Sequence, residues 1–292
     1  MIKRKKVSII GLGAMGMSIS KVLLSSGWDV YGVDLRSEII DEFKGCGGYP
    51  LANTSEAAKN TKLIVLMVIN EKQCDEVLFG TYGGFENFNK DTIVINCSTV
   101  SAEYAKKTES RLREYKTGYL DAPVSGGKKG ATNGTLSIMV SGSDEYLEKS
   151  KVVLEVISSK IYYLGIEIGL GSSMKMINQL LVGIHIVSAA EAINLAKKVG
   201  LDFKKVYEVI KHSAGNSWAF EDRVPRMSEE VNEITSTVDI FLKDLAIVLK
   251  KSEALNINLP VSKAAFNQYR KSHESGMGNE DDSAVYKNYL DI

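Results

Sequence analysis

The chain has 292 residues, of which 44% are hydrophobic and 25% charged, so it has the length of two domains and the composition of an ordinary globular protein. Lys plus Arg and Asp plus Glu both total 36, and the resulting zero formal net charge argues against nucleic acid or an anionic membrane as the main partner. We find no apolar run long enough to cross a bilayer. The three widely spaced cysteines suit reduced thiols, and the three scattered histidines do not predict a metal site. These features predict a cytoplasmic protein.

The first motif is glycine-rich and lies between a predicted strand and a predicted helix. Residues 6–10 (KVSII) form the predicted strand, and residues 15–26 form the helix. In the intervening GLGAMG, Gly11 permits a tight turn, Gly13 lets the backbone approach a pyrophosphate, and Gly16 allows the helix to pack closely on the strand. The predicted cofactor-binding backbone comprises Gly11, Leu12, Gly13, Ala14, Met15 and Gly16.

A carboxylate ends the second predicted strand, WDVYGVD. Asp34 stands where it would accept hydrogen bonds from the adenosine ribose hydroxyls and repel the additional phosphate of NADP. The predicted cofactor is therefore NAD. Arg36 keeps NADP as the less favoured alternative, because an arginine just past this strand can hold a 2′-phosphate.

Strands and helices continue to alternate up to residue 164, which predicts a Rossmann-type, doubly wound parallel sheet for residues 1–164. Ligands of such sheets collect at the carboxyl ends of the strands. Asn70, Ser98 and Thr99 follow two predicted strands, so they are candidates for the cofactor or, alternatively, helix caps. The next glycine-rich stretch, predicted as a loop, carries Ser125, Gly126 and Gly127. This loop is either a concave site for a carboxylate or an ordinary connection.

The stretch from Gly169 to Gly200 predicts one long helix over about residues 172–199, with Ser172 as its N-cap and Gly200 just beyond its end. It is apolar on nearly every side, so we expect burial on more than one face and a position between two domains. Residues 165–292 otherwise read as helices. They predict an all-helical domain for substrate binding and oligomerisation, giving a homodimer or homotetramer.

The first turns of this helix carry a polar face. Lys175, Asn178 and Gln179 are spaced at i, i+3 and i+4, so they lie on one side of the helix. A nicotinamide enzyme that oxidises an alcohol needs a group that takes the hydroxyl proton, and no histidine is suitably placed. Lys175 is the better candidate, since desolvation beside a bound nicotinamide would lower its pKa toward neutrality.

Four motifs together resemble the signatures of the β-hydroxyacid dehydrogenase family, which includes 3-hydroxyisobutyrate dehydrogenase and tartronate semialdehyde reductase. They are GLGAMG, DAPVSGG, GLGSSMKMIN and FLKDLAIVLK, in that order along the chain. The resemblance implies that Lys175 is the catalytic acid/base, with Asn178 as its companion. It further implies a substrate carboxylate site at Ser125, Gly126 and Gly127, Thr99 beside the nicotinamide, and Lys243 in the cofactor and substrate cleft.

Within that family, the run KMINQLLVGIHIVSAAEA with AGNSWAFEDR, STVDIFLKDL and NEDDSAV most resembles the L-threonate dehydrogenase branch, which oxidises a four-carbon sugar acid. Such a substrate has hydroxyl groups that His185, Gln179, Asn216 and Ser217 would pair. Alternatively, Asn216 and Ser217 cap a helix and His185 is an ordinary helix residue. The alternative enzyme activities are those of a 3-hydroxyisobutyrate dehydrogenase and a tartronate semialdehyde reductase. The alternative from another class is a non-catalytic dinucleotide-binding module.

Overall fold

The computed structural model describes residues 5–228 and 234–290. The chain divides into two compact units, Met1–Lys175 and Met176–Ile292. The described part of the first unit is an α/β sandwich and that of the second unit is helical. This agrees with the predicted fold class, whereas the predicted domain boundary after residue 164 stays a prediction.

The first unit contains a nine-stranded sheet. Its strands are β1 (Lys6–Ile10), β2 (Asp29–Val33), β3 (Tyr49–Pro50), β4 (Leu63–Leu66), β5 (Ile93–Asn96), β6 (Gly118–Asp121), β7 (Val124–Ser125), β8 (Leu136–Gly142) and β9 (Ser158–Tyr163). The strand order is β3-β2-β1-β4-β5-β6-β8-β7, with β9 also paired to β8. Pairing is parallel from β3 to β6 and between β8 and β9, and it is antiparallel between β8 and each of β6 and β7. The order reverses between β1 and β4, the point at which open α/β sheets bind ligands.

Helices cover the sheet and build the second unit. They are α1 (Ala14–Ser25), α2 (Ser37–Gly45), α3 (Thr54–Asn60), α4 (Glu71–Phe79), α5 (Ala102–Glu114), α6 (Gly127–Thr132), α7 (Asp144–Ile157), α8 (Leu170–Lys198), α9 (Phe203–Ile210), α10 (Trp218–Ser228), α11 (Val238–Ala254) and α12 (Pro260–Ser272). Short 3₁₀ segments at Phe85–Asn87 and Asp282–Tyr289 and a π turn at His273–Met277 complete the described secondary structure. The stretch predicted as a loop around Ser125 holds β7 and α6, so that prediction is wrong.

Both faces of the sheet are buried, because neighbouring residues of each central strand enter different hydrophobic clusters. Val65 and Ile95 belong to the cluster that includes α1 and α7 residues, whereas Ile64 and Val94 belong to the cluster on the opposite face. All four side chains are 3% exposed or less. Such doubly covered strands are continuously apolar, which is why the sequence pattern predicts them well.

The long helix α8 differs from its prediction in three respects. Ser172 lies inside the helix and is not its N-cap, and the helix begins two residues earlier, at Leu170. By length and mean hydropathy, 1.5 over its most apolar window, the helix could cross a membrane, so the expectation that no run is long enough is wrong. Several of its residues instead form the core of the second unit, among them Ile186, Ala190 and Ile193. This is how the core helix of a soluble protein uses its apolar side chains.

One face of α8 is not covered by this chain. Met174, Ile177, Leu181 and Leu195 are between 44% and 64% exposed. The expectation of burial on more than one face is therefore wrong for the single chain. Gly200 ends the helix as predicted, with φ +83°, and Leu201 N–H donates to Ala196 O at 2.9 Å. A left-handed glycine in this position satisfies carbonyl groups of the last turn.

Candidate active site

The glycine-rich loop after β1 is held by contacts that only glycine permits. Gly11 has φ +93°, and its N–H donates to Val33 O at 2.9 Å. A Cβ atom on Gly11 would lie 2.5 Å from Met67 O, and one on Gly16 would lie 1.9 Å from Gly11 O. The backbone is therefore packed against β4 on one side and against α1 on the other, as a dinucleotide-binding turn requires.

The beginning of α1 has the properties of an anion-binding site. Its first turn has no acidic residue, and Gly13 provides no side-chain cap for the N–H groups. A Cβ atom on Gly13 would meet nothing closer than 3.8 Å, so there is room above this backbone. Ala14 is exposed and Met15 is half-buried, whereas the Leu12 side chain is buried in the core and can contribute only through its backbone. Free N–H groups at the positive end of a helix dipole fit a pyrophosphate.

Asp34 lies just after β2 and faces this loop. Its Oδ2 accepts hydrogen bonds from Leu12 N–H and Arg36 Nη2, at 2.8 and 2.9 Å, and its Oδ1 accepts from Arg36 Nε at 2.9 Å. Burial opposes ionisation of Asp34, but these hydrogen bonds outweigh it and lower the pKa of the carboxyl group below its usual value. Asp34 is therefore an ionised acceptor at the position expected for ribose recognition.

The candidates at two other strand ends make hydrogen bonds that stabilise the local backbone. Asn70 Oδ1 accepts from Gln73 N–H at 2.9 Å and so caps α4. Ser98 is buried, and its Oγ accepts from Val68 N–H at 3.1 Å. Thr99, next to it, is half-buried. Asn70 is therefore a helix cap, which is the alternative prediction. Ser98 and Thr99 follow the carboxyl end of β5, at the same edge of the sheet as the dinucleotide loop.

The predicted carboxylate site begins at the end of β7. Ser125 pairs with Ser137 of β8 and is half-buried. Gly126 and Gly127 have φ values of +127° and +59°, both in the left-handed region that favours glycine. Gly126 gives the N–H groups at the start of α6 no side-chain cap, which is compatible with the binding of a small anion.

A buried carboxylate four residues before Ser125 holds the first turn of α8. Asp121 Oδ1 accepts from Ser172 Oγ at 2.6 Å. Its Oδ2 accepts from Ser172 N–H at 2.8 Å, from Gly169 N–H at 3.1 Å and from Ser141 Oγ at 3.3 Å. Burial raises the pKa of Asp121, and these hydrogen bonds oppose the rise. The carboxylate thus satisfies helix N–H groups that a local N-cap residue would otherwise bind.

Close backbone packing accompanies this contact. A Cβ atom on Gly171 would lie 2.5 Å from both Asp121 O and Met139 O, so the first turn of α8 rests directly on the end of β6 and the middle of β8. Lys175 follows one helical turn later. Asp121, the first residue of the motif DAPVSGG, was not predicted as a functional residue, although a charged residue at the end of an apolar strand is a signal for such a role.

Lys175 and its neighbours form a polar face on the first turns of α8. Lys175 and Gln179 are each 7% exposed, and Asn178 is half-buried. In the second unit, Asn178 Nδ2 donates to Gln179 Oε1 at 2.9 Å, and Gln179 Nε2 donates to Asp244 Oδ2 at 2.5 Å. Lys243 Nζ lies 2.6 Å from Asp244 Oδ1. The polar face predicted from spacing is therefore linked to Lys243 through the Asp244 carboxylate, which was not among the predicted site residues.

The residues predicted to pair substrate hydroxyl groups make local hydrogen bonds. Ser217 Oγ accepts from Phe220 N–H at 3.0 Å and caps the start of α10. Asn216 Nδ2 donates to Lys211 O at 2.9 Å and also to the Glu221 carboxylate. His185 is half-buried. Ser217 is thus a helix cap, as the alternative prediction states, and the Asn216 amide stabilises the turn before α10.

Metal and thiol chemistry find little support in the described parts of the chain. Residues 5–228 and 234–290 contain no group of three His, Cys, Asp or Glu side chains that could hold a metal ion. Cys97 is a free, buried cysteine, and burial together with the nearby Asp121 charge raises its pKa to about 12. It is therefore a protonated, unreactive thiol at neutral pH.

A doubly wound unit with a dinucleotide loop, followed by a helix that carries a buried lysine, defines the class of NAD(P)-dependent dehydrogenases. Residues 6–165 match the NAD binding domain of 6-phosphogluconate dehydrogenase, and residues 169–289 match the NAD-binding domain of NADP-dependent 3-hydroxyisobutyrate dehydrogenase. The chain belongs to this 3-hydroxyisobutyrate dehydrogenase-like family of β-hydroxyacid dehydrogenases.

Individual relatives extend over nearly the whole chain. An L-threonate dehydrogenase from Cupriavidus necator is 41% identical over 97% of this chain and 95% of its own length. The L-threonate dehydrogenase of Escherichia coli K12 is 38% identical over 98% and 95%. A crystal structure described as 3-hydroxyisobutyrate dehydrogenase from Salmonella typhimurium has a TM-score of 0.92 and 36% identity, covering 97% of this chain and 99% of that one. The predicted family, fold class and type of enzyme, an oxidoreductase, are confirmed.

We expect Asp121→Ala to lower the free energy of unfolding by about 2–4 kcal/mol, because it strands two buried N–H groups of α8. Turnover should fall as well, since the turn before Lys175 loosens. Asp121→Asn should lose less, because its Oδ1 can still accept both N–H bonds. Urea unfolding followed by fluorescence measures the change.

The matched control for this prediction is Glu167→Ala. Glu167 lies just before α8 and pairs with Lys106 at 2.6 Å, but both side chains are more than half exposed. Such a surface pair contributes about 1 kcal/mol or less. Equal losses for Asp121→Ala and Glu167→Ala would contradict the anchoring role of Asp121.

Proposed function

We propose that this protein oxidises L-threonate at C2 to 2-oxo-tetronate, with NAD as the electron acceptor. The observation that carries the proposal is the 41% identity with the L-threonate dehydrogenase of Cupriavidus necator across 97% of the chain. The intact dinucleotide loop and the buried Lys175 support it, because a non-catalytic nucleotide-binding module would need the first but not the second.

In the proposed reaction Lys175, as the neutral amine, takes the proton of the C2 hydroxyl group. When bound, NAD would supply the acceptor for a hydride from the same carbon, which would convert the alcohol to a ketone and give NADH and one proton. The backbone of Ser125, Gly126 and Gly127 holds the substrate carboxylate. Asn178 orients the Lys175 ammonium that forms.

Further side chains are assigned to the substrate and cofactor. Lys243 contributes positive charge near the substrate carboxylate or the cofactor. The remaining proposed contacts to substrate hydroxyl groups come from Gln179, Asn216 and Ser217. A pocket whose polar groups are paired by those hydroxyl groups rejects substrates that lack them, because the protein groups would stay unpaired.

The preference for NAD over NADP is also a proposal. The ionised Asp34 would accept hydrogen bonds from the ribose hydroxyl groups and repel a 2′-phosphate. Arg36 tempers this preference because its guanidinium, 51% exposed, already pairs with Asp34 and could turn toward a phosphate. One of the two family models that match is described as NADP-dependent, so the direct comparison of both cofactors is needed.

We further propose that the protein works in the cytoplasm on a small hydroxy acid, without nucleic acid or a membrane as partner, and that it forms a homodimer or homotetramer. The exposed apolar side chains of α8 support self-association, because burying Ile177, Leu181 and Leu195 against another copy would remove them from water. The first 164 residues would bind the cofactor, and residues 165–292 would complete the substrate site.

The second candidate function is that of a 3-hydroxyisobutyrate dehydrogenase or a tartronate semialdehyde reductase. The Salmonella typhimurium structure, 36% identical, favours the first of these. The capping roles of Ser217 and of the Asn216 amide also favour it, because side chains that hold a turn are not required to bind substrate hydroxyl groups.

The deciding experiment measures initial rates of NADH formation with purified protein over L-threonate, D-threonate, D- and L-erythronate, 3-hydroxyisobutyrate and D-glycerate, and rates of NADH oxidation with tartronate semialdehyde. We expect kcat/KM for L-threonate to exceed that for 3-hydroxyisobutyrate by about 100-fold, the factor that unpaired polar groups impose. Higher kcat/KM for 3-hydroxyisobutyrate or tartronate semialdehyde would overturn the substrate assignment and leave the family membership intact.

Lys175→Ala should lower kcat by about 1000-fold or more while NADH binding, measured by fluorescence, stays within a few-fold of wild type. The control is Lys197→Ala, at an exposed position in the last turn of the same helix, which should leave both quantities unchanged. Loss of NADH binding together with activity in Lys175→Ala would show a structural role for the lysine.

Asp34→Ala should raise the KM for NAD about 10-fold, since two ribose hydrogen bonds to a charged group are lost, and should narrow the preference for NAD over NADP. Asp41→Ala is the control, because that exposed carboxylate lies on α2 and pairs only with Lys44 at 3.5 Å among the contacts described. An unchanged ratio of kcat/KM for the two cofactors would refute the ribose assignment.

A further inference from the structure

The second unit contains a chain of polar contacts that joins α8 to α11. It runs from Asn178 through Gln179 to Asp244, which also pairs with Lys243. Asp244 is 2% exposed, so this carboxylate depends on its neighbours for hydrogen bonds. Its position follows from close packing of the two helices one turn further along, where a Cβ atom on Gly183 would lie 3.1 Å from Leu245 side-chain carbons.

The chemistry of the groups determines which atom donates and which accepts in each hydrogen bond between Asn178, Gln179 and Asp244. An ionised carboxylate only accepts, so Gln179 must turn its Nε2 toward Asp244. Its Oε1 then points the other way and can only accept, so Asn178 must present its Nδ2 to it. The remaining polar atom of Asn178, its Oδ1, is thereby left as an acceptor. A neutral group in place of the carboxylate would allow both amides to rotate.

We propose that Asp244 is a positioning residue for the reaction assigned above: it locks the Gln179 and Asn178 amides so that Asn178 Oδ1 faces the ammonium of Lys175. Lys175 lies three residues before Asn178 on the same helix, and residues at this spacing are neighbours. The same carboxylate holds the Lys243 ammonium. One buried charge therefore organises both lysines that the proposed function uses.

The proposal rests on the proposed function for its kinetic test, so the test uses whichever hydroxy acid the wild type oxidises fastest. Asp244→Asn and Gln179→Met should each lower kcat about 10- to 100-fold, the effect of losing a charge-assisted or a buried hydrogen bond, with the KM for NAD changed less than about threefold. Asp239→Asn is the matched control on α11, because that carboxylate is 44% exposed and pairs with His273. It should leave kcat unchanged.

A double-mutant cycle separates orientation from general destabilisation. In an Asn178→Ala background the amide to be oriented is gone, so Gln179→Met should then change kcat by less than about threefold. Losses that multiply instead would overturn the proposal. In the Asn178→Ala background, Asp244→Asn should still lower kcat somewhat, because it also removes the partner of Lys243. This remaining loss of kcat should disappear when Lys243→Met is added.

The pH dependence of Gln179→Glu provides a second signature. Two facing carboxylates at this distance require a proton between them, which is lost as the pH rises. The ratio of the variant's kcat to that of the wild type should therefore fall with increasing pH. A ratio independent of pH would count against direct contact between this side chain and Asp244.

A third readout needs no substrate, so it distinguishes failure of this inference from failure of the proposed function. The side-chain NH₂ signal of Gln179 is identified in ¹H–¹⁵N spectra by its loss in Gln179→Met. Its chemical shifts should differ from those of a solvent-exposed glutamine. They should change in Asp244→Asn and remain unchanged in Asp239→Asn. A Gln179 signal at the solvent-exposed position in wild type would overturn the proposal even if the enzyme is active.

Discussion

The structure depends on one buried carboxylate, Asp121, and on the donors that surround it. Removing a carboxylate from water is costly, and the cost is offset only where hydrogen-bond donors converge on it. Here two of the four donors are N–H groups of the α8 start, from Gly169 and Ser172. The helix cannot slide along its axis without stranding that charge. The position of the first turn of α8 on the sheet is therefore determined by electrostatics as well as by packing.

The residues of α8 that we propose as catalytic lie between two such contacts in the sequence of the helix. Asp121 binds the helix at Ser172, and Asp244 binds it at Gln179, so Lys175 and Asn178 lie between the two attachment points. A helix of this length is stiff, and its later residues are part of the core of the second unit. Two charged attachments on the same helix limit movement of the Lys175 backbone. If Lys175 is the acid/base that we propose, this restraint is the preorganisation that proton transfer requires.

Local patterns in the sequence predict most of the fold and the cofactor loop. The first and last residues of GLGAMG must be glycine because a side chain there would clash with backbone of the same loop or next to the neighbouring strand. The continuous apolar strands reflect burial on both faces of the sheet. The two-residue strand β3 and the short helix α6 are too small to produce a period. Ser172, which binds Asp121, and Gln179, which binds Asp244, lie 51 and 65 positions away from their carboxylates, and no local spacing encodes such contacts. Ser172 was misread as a cap for the same reason.

The contacts of Gln179 change the part that it can play in substrate selection. A side chain that recognises a hydroxyl group must keep a donor or acceptor directed toward the ligand. Both ends of the Gln179 amide are already engaged, Oε1 with Asn178 and Nε2 with Asp244, and the side chain is buried. Asn216 donates its Nδ2 to Lys211 O in the turn before α10, whereas its buried Oδ1 has no hydrogen-bond partner among the described residues and keeps its acceptor capacity. Both kinds of acid carry a carboxylate, so carboxylate contacts alone do not distinguish a sugar acid from a simpler hydroxy acid. In the proposal above, Gln179 would act by holding the Asn178 amide in place, so a change at Gln179 is expected to alter turnover more than the choice of substrate.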